Sequence, residues 1–540
     1  MIFFSKRKNN TLYQQTVIIQ TNLRNFATSE SKFKLMRRFI FILISFLCFQ
    51  SVAAQRKYEV RATWITTIFG LDWPKTKATN AITTAKQKEE IIQILDQMKA
   101  ANINTILFQT RTRGEVFYRS NIEPMSETLT GKLGGDPGYD PLAFVIKECH
   151  KRGMECHAWM VMIPIGLRNH FNALGKQFSK LQIRGLYVNY KNCYYLNPGN
   201  PGTGLYLKKL VHEVVENYDV DGVNFDYLRY PEYSQRTFPD RLEYKLNGDG
   251  RSLDEWRRDN ITEILRGIYH DVKAIKPWVK VSSSPVGKYK NTSRYSSSGW
   301  NAYFAVYQDP EGWLGEGIED QLYPMQYFKN NYFYPFMLDW QEASNGRQII
   351  PGLGIYFLDP KEGNWTINDI KRQIQFCRES GVAGEAYYRS KYLMDNSKGI
   401  YDELQKKYYR YPTLIPPMPW LDSEIPSAPA KFKIDSITNG YVRLSWQMSK
   451  DNDRSNNPMY IIYASNKYPV NTNDPKNIIA TYVRNTTYTY APLYPWESKT
   501  HFAITAIDRY GNESLATQID TITIKQQPKQ DKGNQALLPE

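Results

Sequence analysis

Short apolar runs alternate with amphipathic stretches eight times between residue 59 and about residue 409. The runs cover 59–67, 104–111, 155–160, 222–228, 280–287, 320–327, 349–356 and 384–390, and each has the length of a strand. Between them apolar residues recur every three or four positions, as in Ile91, Ile92, Leu95 and Met98, or Ile261, Ile264, Leu265 and Ile268. That spacing puts them on one face of a helix. Gly153 and Gly381 stand where two of these helices should stop. Eight strand–helix units of this regularity predict an α/β chain folded as a (β/α)8 TIM barrel over residues 55–410. An open doubly wound sheet would carry a glycine-rich turn after its first strand, and none follows Thr67.

The rhythm changes after residue 410. Pro412, Pro416, Pro417 and Pro419 mark a Pro-rich linker over 411–425. From 426 to 525 short runs such as 441–446, 460–464 and 501–508 alternate with period two. They predict a small all-β, immunoglobulin-like sandwich of seven strands. The Gln/Lys/Pro-rich tail, 526–540, is expected to be disordered. At the other end Met36-Arg37-Arg38, the apolar stretch 39–49 and Val52-Ala53-Ala54 have the three parts of a signal peptide, cleaved after Ala54. Residues 1–35 would then be an extension ahead of it, with Met36 an alternative start. The apolar stretch is short for a membrane span. The expectation is export to the periplasm or cell surface, with no stable membrane span after cleavage.

The chain has 540 residues, 41% of them hydrophobic, enough for a large core and a satellite domain. The formal charge is +15, but residues 1–54 hold eight Lys/Arg and one Glu, so the rest carries +8. No Lys/Arg run interleaved with aromatics and no zinc-finger spacing occurs, which argues against a nucleic-acid partner. Aromatics reach 14%, with 40 Tyr and 12 Trp, a supply of rings on which sugars can stack. Past Ala54 the cysteines are Cys149, Cys156, Cys193 and Cys377, without ligand spacing, and read best as free thiols.

Active sites of this barrel lie at the C-terminal ends of the strands. Asp226 ends the fourth run, and alternation puts Gly222, Asn224 and Asp226 on one face, with Val223 and Phe225 against the helices. A carboxylate at that mouth is costly without a use, so Asp226 is the first catalytic candidate. Glycosidic cleavage needs a second carboxyl group to share the acid and base roles. Glu115, after the second strand, is the leading choice, with Glu311 and Glu316 as rivals. Glu385, Asp320 and Asp221 start strands and belong to the stabilising end of the barrel. Gln109 and Arg111 share a face on the second run, followed by Arg113; His157 and Trp159 share one on the third. With Arg61, Trp64, Asn224, Arg229, Tyr327 and Tyr356 they form the candidate substrate-binding set. Long loops follow the third and fourth strands, and Arg168, Asn169, His170, Tyr194, Tyr195 and Asn197 are placed to line a cleft. No H-E-x-x-H, His-x-His or G-x-S-x-G motif is present, so no metal and no cofactor is implied.

The chain resembles a bacterial family, the glycosyl hydrolase-like family 10, from about Arg56 to Tyr409. The resemblance rests on Arg61-Ala62-Thr63-Trp64, on Gln109-Thr110-Arg111-Thr112-Arg113-Gly114-Glu115, on Tyr139-Asp140-Pro141-Leu142, on His157-Ala158-Trp159 and on the segment Asp221 to Pro231. It implies a barrel, hydrolysis of a polysaccharide or peptidoglycan glycan, and Asp226 as an active-site group, with an acidic residue where Glu115 stands. Two departures stand out. The family pattern reads His-Phe-Asp-Asp where this chain has Asn224-Phe225-Asp226-Tyr227, and Pro-Gln where it has Pro324-Met325. The C-terminal segment resembles a fibronectin type III module through Trp446 and the run Ala506 to Asn512. The expected function is a glycoside hydrolase working by carboxylate acid/base catalysis. The alternative is a non-catalytic glycan binder on a degenerate barrel, which Tyr227 in place of the second Asp keeps open.

Overall fold

The computed structural model describes residues 55–175, 185–232, 237–295, 300–451, 458–492 and 498–519. The expected signal segment, 1–54, and tail, 526–540, lie outside the described residues. Eight parallel strands follow the eight apolar runs: β1 Val60–Ile65, β2 Thr105–Arg111, β3 Glu155–Val161, β4 Gly222–Asp226, β5 Lys280–Ser284, β6 Gln321–Leu322, β7 in two pieces, Gln348–Ile349 and Gly352–Leu353, and β8 Gly384–Tyr387. From β1 to β6 each strand pairs with the next. The first piece of β7 pairs with β6, the second with β8, and β8 pairs with β1, so the ring closes. The break falls at Pro351, which has no N–H to give to a ladder.

Val60, Ala62, Trp64, Leu107, Trp159, Tyr323, Ile350 and Ala386 fill the interior. Around them lie amphipathic helices. Pro201–Asn217 buries Leu207, Leu210, Val211, Val214 and Val215, and Leu253–Ile275 buries Ile261, Ile264, Leu265 and Ile268. Each such aliphatic side chain contributes about 1.5–3 kcal/mol on burial. Asn200 caps the first helix, and Ser252 with Glu255 forms a capping box on the second.

The loop after β3 is a folded insertion. It contains a small antiparallel sheet, Pro164–Leu167, Cys193–Leu196 and Tyr187–Tyr190, and a helix, Arg168–Leu174.

The C-terminal part forms two antiparallel sheets, one of Ala430–Thr438, Tyr441–Gln447 and Thr487–Tyr490, the other of Ile478–Val483, Met459–Ser465, His501–Ile507 and Thr517–Gln518. Val442, Leu444 and Trp446 from the first and Tyr460, Ile462, Phe502 and Ile504 from the second share one core. This sandwich sits against the N-terminal ends of the barrel strands. Arg509 donates to Asp219 at 2.9 Å and to Asp221 at 3.3 Å, just before β4, and His150 meets Asp221 at 2.8 Å. The proline-rich stretch 411–425 is no loose tether. Leu414 bridges to Tyr58, and Leu414, Ile415 and Met418 are buried because apolar side chains are set among the prolines. Ile415 joins the barrel core. Among the described residues no helix is long and apolar enough to cross a membrane. Cys149, Cys156 and Cys377 are buried free thiols, and Cys193 is a half-buried one.

Candidate active site at the mouth of the barrel

A cavity of about 560 Å³ opens where the C-terminal ends of β1 to β4 and β8 meet the insertion. Thr66, Ile68, Gln109, Arg113, Trp159, Tyr388 and the segment from Asp226 to Glu232 contribute to its lining. Pro164, Leu167, Tyr190, Cys193 and Tyr195 of the insertion supply the far wall.

Asp226 is the last residue of β4 and only 7% exposed. Its Oδ2 accepts from Trp159 Nε1 at 3.2 Å, and its Oδ1 accepts from the Tyr227 N–H at 2.8 Å. Burial pushes its carboxyl up to about 6, against the opposing pull of Arg229 and of these two donors. A group balanced near neutrality can carry a proton and release it. Tyr227 turns the chain with φ 52°, a left-handed conformation that costs a tyrosine about 1–3 kcal/mol. Its exposed ring lies 4.5 Å from the Arg229 guanidinium, which also stands over Trp300. Arg229 reaches Glu232 at 3.6 Å. Asp226 and Glu232 are the two carboxylates that line the cavity among the described residues.

An aromatic group centred on Tyr388 stands beside Asp226. Its ring lies 6.0 Å from Trp64, 6.5 Å from Trp159, 5.5 Å from Tyr327 and 5.8 Å from Tyr356. Tyr388 lines the cavity; Tyr327 and Tyr356, expected to bind substrate, pack on the Tyr388 ring and are not part of the lining.

Of the residues singled out in the sequence, the structure brings Asp226, Gln109, Arg113, Trp159, Arg229 and Tyr195 to this cavity. Gln109 is held there by structure of its own, since its Oε1 accepts from the Thr67 and Ile68 N–H groups.

Several others are placed elsewhere. Arg111 does not share a face with Gln109, because the β2–β3 register shifts between them. That bulge turns Arg111 outward, where it is fully buried in a two-pronged pair with Glu123 and donates to the Val161 and Met162 carbonyls. His157 does share the Trp159 face but lies two residues lower, opposite Gly222, with its Nε2 on Glu155 at 2.9 Å. Asn224 also lies below the cavity, bonded to Ser282 and Ser284. Arg61, near the start of β1, pairs with Glu59 and stacks on Tyr409. Trp64 belongs to the barrel core, against Tyr323. None of these five lines the cavity.

Glu115 is turned away too. Its Oε2 accepts from the Glu127 N–H and its Oε1 lies 3.4 Å from His170 Nδ1, so it fastens the insertion to the loop after β2. Burial raises its carboxyl above the usual range. Glu311 and Glu316 lie on the helix Pro310–Glu316, where Glu316 pairs with Arg266. In the insertion, Tyr194 stacks on Phe171, and Asn197 is buried against Gly199 and Glu243. As expected from their strand-start positions, Asp221, Asp320 and Glu385 hold the lower end, with His150, Lys273 and Tyr409 respectively.

Two lining residues escaped the sequence reading. Tyr388 is in phase with Ala386 and Gly384 on β8, one step past the strand end, and alternation could have found it. Glu232 lies on a turn after Pro231, where its only signal is an acidic residue close behind a strand that ends in Asp226. Among the described residues no group of three or more His, Cys, Asp and Glu is arranged to hold a metal ion.

Residues 59–357 match the family model described as Glycosyl hydrolase-like 10. Glycosyl hydrolase YngK of Bacillus subtilis (strain 168) is 32% identical over 490 residues, which cover 87% of this chain and 94% of that protein. Glycosyl hydrolase DigH of Escherichia coli (strain K12) is 30% identical over 371 residues, covering 63% of this chain and 84% of that protein. Among solved structures, the PgaB (BpsB) glycoside hydrolase domain from Bordetella bronchiseptica aligns with a TM-score of 0.47 at 12% identity, over 66% of this chain and 99% of that domain.

Proposed function

The chain belongs to the glycosyl hydrolase-like 10 family, and on that premise we propose that it hydrolyses O-glycosidic bonds in a cell-wall glycan or another polysaccharide. One observation carries the proposal. Asp226 ends β4 inside the mouth cavity, buried, held by two donors and brought to about 6, close to where a proton can be given or taken in mild conditions. Tyr388, Tyr195 and Tyr190 add aromatic surface to the cavity wall against which sugars can pack, and Arg113 and Arg229 add donors for their oxygens. The reaction needs only carboxyl groups and water, so no cofactor is part of the proposal. The N-terminal signal pattern supports work outside the cytoplasm. The sandwich, on the fibronectin type III pattern, acts as a spacer or docking surface.

The substitution of Tyr227 for the family's second Asp supports a second reading, a glycan binder without turnover. The test is to incubate residues 55–540, and an Asp226→Asn variant, with peptide-stripped peptidoglycan strands and a polysaccharide panel, and to count released reducing ends. Release by the wild type and none by the variant supports the hydrolase with Asp226 in the reaction. Binding by both without release supports the binder. Equal release by both removes Asp226 from the chemistry.

A further inference from the structure

We infer that Glu232 is the second carboxylate of the reaction, acting as the base opposite Asp226. The inference rests on the hydrolase reading and names the partner it leaves open. Three observations support it. Glu232 and Asp226 are the two carboxylates lining the cavity among the described residues, whereas Glu115 bonds to the Glu127 N–H outside it. Arg229 joins the two, since its charge acts on Asp226 and its guanidinium lies 3.6 Å from Glu232, with the Tyr227 ring beneath it. The turn that carries Glu232 is fixed just upstream, because Tyr230 is fully buried and donates its N–H to the Val306 carbonyl at 3.1 Å.

The two environments divide the labour. Asp226 is buried and bonded by Trp159, while the Glu232 side chain is 47% exposed and open to solvent. In the step, the Asp226 proton passes to the glycosidic oxygen as its bond to the anomeric carbon breaks. Glu232 takes a proton from a water whose oxygen forms the new bond to that carbon. One water is consumed, two hydroxyl ends appear, and both carboxyl groups return to their starting states by proton exchange with solvent.

The test uses Glu232→Gln, Glu232→Asp and Glu232→Ala in the full chain, on the glycan that the wild type cleaves, with circular dichroism and glycan binding as checks on folding. Glu232→Gln should lower kcat by roughly 100-fold or more with little change in KM, and the acidic limb of its pH profile should vanish. Glu232→Asp should keep that limb at a reduced rate. Sodium azide should restore turnover of Glu232→Ala and yield a glycosyl azide of inverted anomeric configuration by NMR. The inference is overturned if Glu232→Gln stays within about threefold of the wild-type kcat with its acidic limb intact. Loss of kcat with the acidic limb unmoved and no azide rescue overturns it as well. Those results leave the hydrolase reading standing; absence of wild-type turnover on every glycan removes both.

Discussion

Trp159 Nε1 donates to Asp226 Oδ2 at 3.2 Å, from β3 across to the end of β4. The indole thus favours the charged form of a carboxyl that burial pushes toward the neutral one. Trp159→Phe keeps a ring in the barrel interior and removes the donor. A hydrogen bond to a charged group is worth about 1.5–3 kcal/mol, or roughly one to two units of pKa. The alkaline limb of the pH–kcat/KM profile, where Asp226 gives up its proton, should therefore move upward by about one unit. An unmoved limb would detach the indole from the reaction.

The same carboxyl ties stability to pH. Its pKa is 3.8 unfolded and about 6 folded, so the folded state holds its proton more tightly. The stability this lends is present in full below pH 3.8 and is lost as pH rises through 6. At pH 8 the ionised carboxylate costs the fold about 3 kcal/mol, at 1.36 kcal/mol per unit. Asp226→Asn should accordingly be more stable than the wild type at pH 8 and close to it near pH 4. Urea denaturation at the two pH values gives the comparison, and a variant that is less stable at pH 8 contradicts it.

Arg111 lies in a buried pair with Glu123, and Tyr206 donates to that glutamate at 2.6 Å. Arg111→Met takes the guanidinium partner from the buried Glu123 and should cost about 3–5 kcal/mol. Adding Glu123→Met should recover much of the loss. Thermal denaturation of the two variants and of the double substitution tests this. At a temperature where Arg111→Met is folded, its KM should stay near the wild-type value, because the guanidinium does not line the cavity.

Gly222 faces the His157 ring so closely that a Cβ would come within 2.6 Å of Nδ1. Gly222→Ala should destabilise the barrel by about 1–3 kcal/mol through overpacking, and His157→Ala in the same chain should relieve most of it. A double-substitution cycle on melting temperature reads the coupling.

Arg509 grips Asp219 and Asp221 from the sandwich. Arg509→Ala should loosen the two parts, with faster amide exchange in 411–425 and at the strand Ile478–Val483, while the cavity and its glycan affinity change little. Unaltered exchange would mean that the apolar contacts of Ile415 and Tyr482 suffice.

Period-two and period-3.6 patterns carried most of the barrel into view, since buried strands and amphipathic helices must repeat in that way. Asp226 was legible because the end of β4 is a place where polarity has to be justified. Arg111 was misread because a bulge at Thr110 breaks alternation, and nothing in Gln-Thr-Arg announces a bulge. His157 shows a second limit: alternation gives the face of a strand but not the height along the barrel. Glu115 and Glu232 are both acidic residues on rim loops, and local sequence does not say which will turn inward. The stretch 411–425 has the prolines of a linker, and only its Leu414, Ile415 and Met418 hint that it is buried.

Asp221 and Asp226 sit at opposite ends of one short strand, the first bound to the sandwich and the second facing the cavity. The small domain is thus mounted at the pole of the barrel away from its mouth. Whatever holds the sandwich, whether a matrix, a surface or an engineered support, presents the cavity outward and leaves its approach clear. Immobilising the protein through that domain should therefore preserve access for long polymers, whereas attachment through the insertion after β3 should block it.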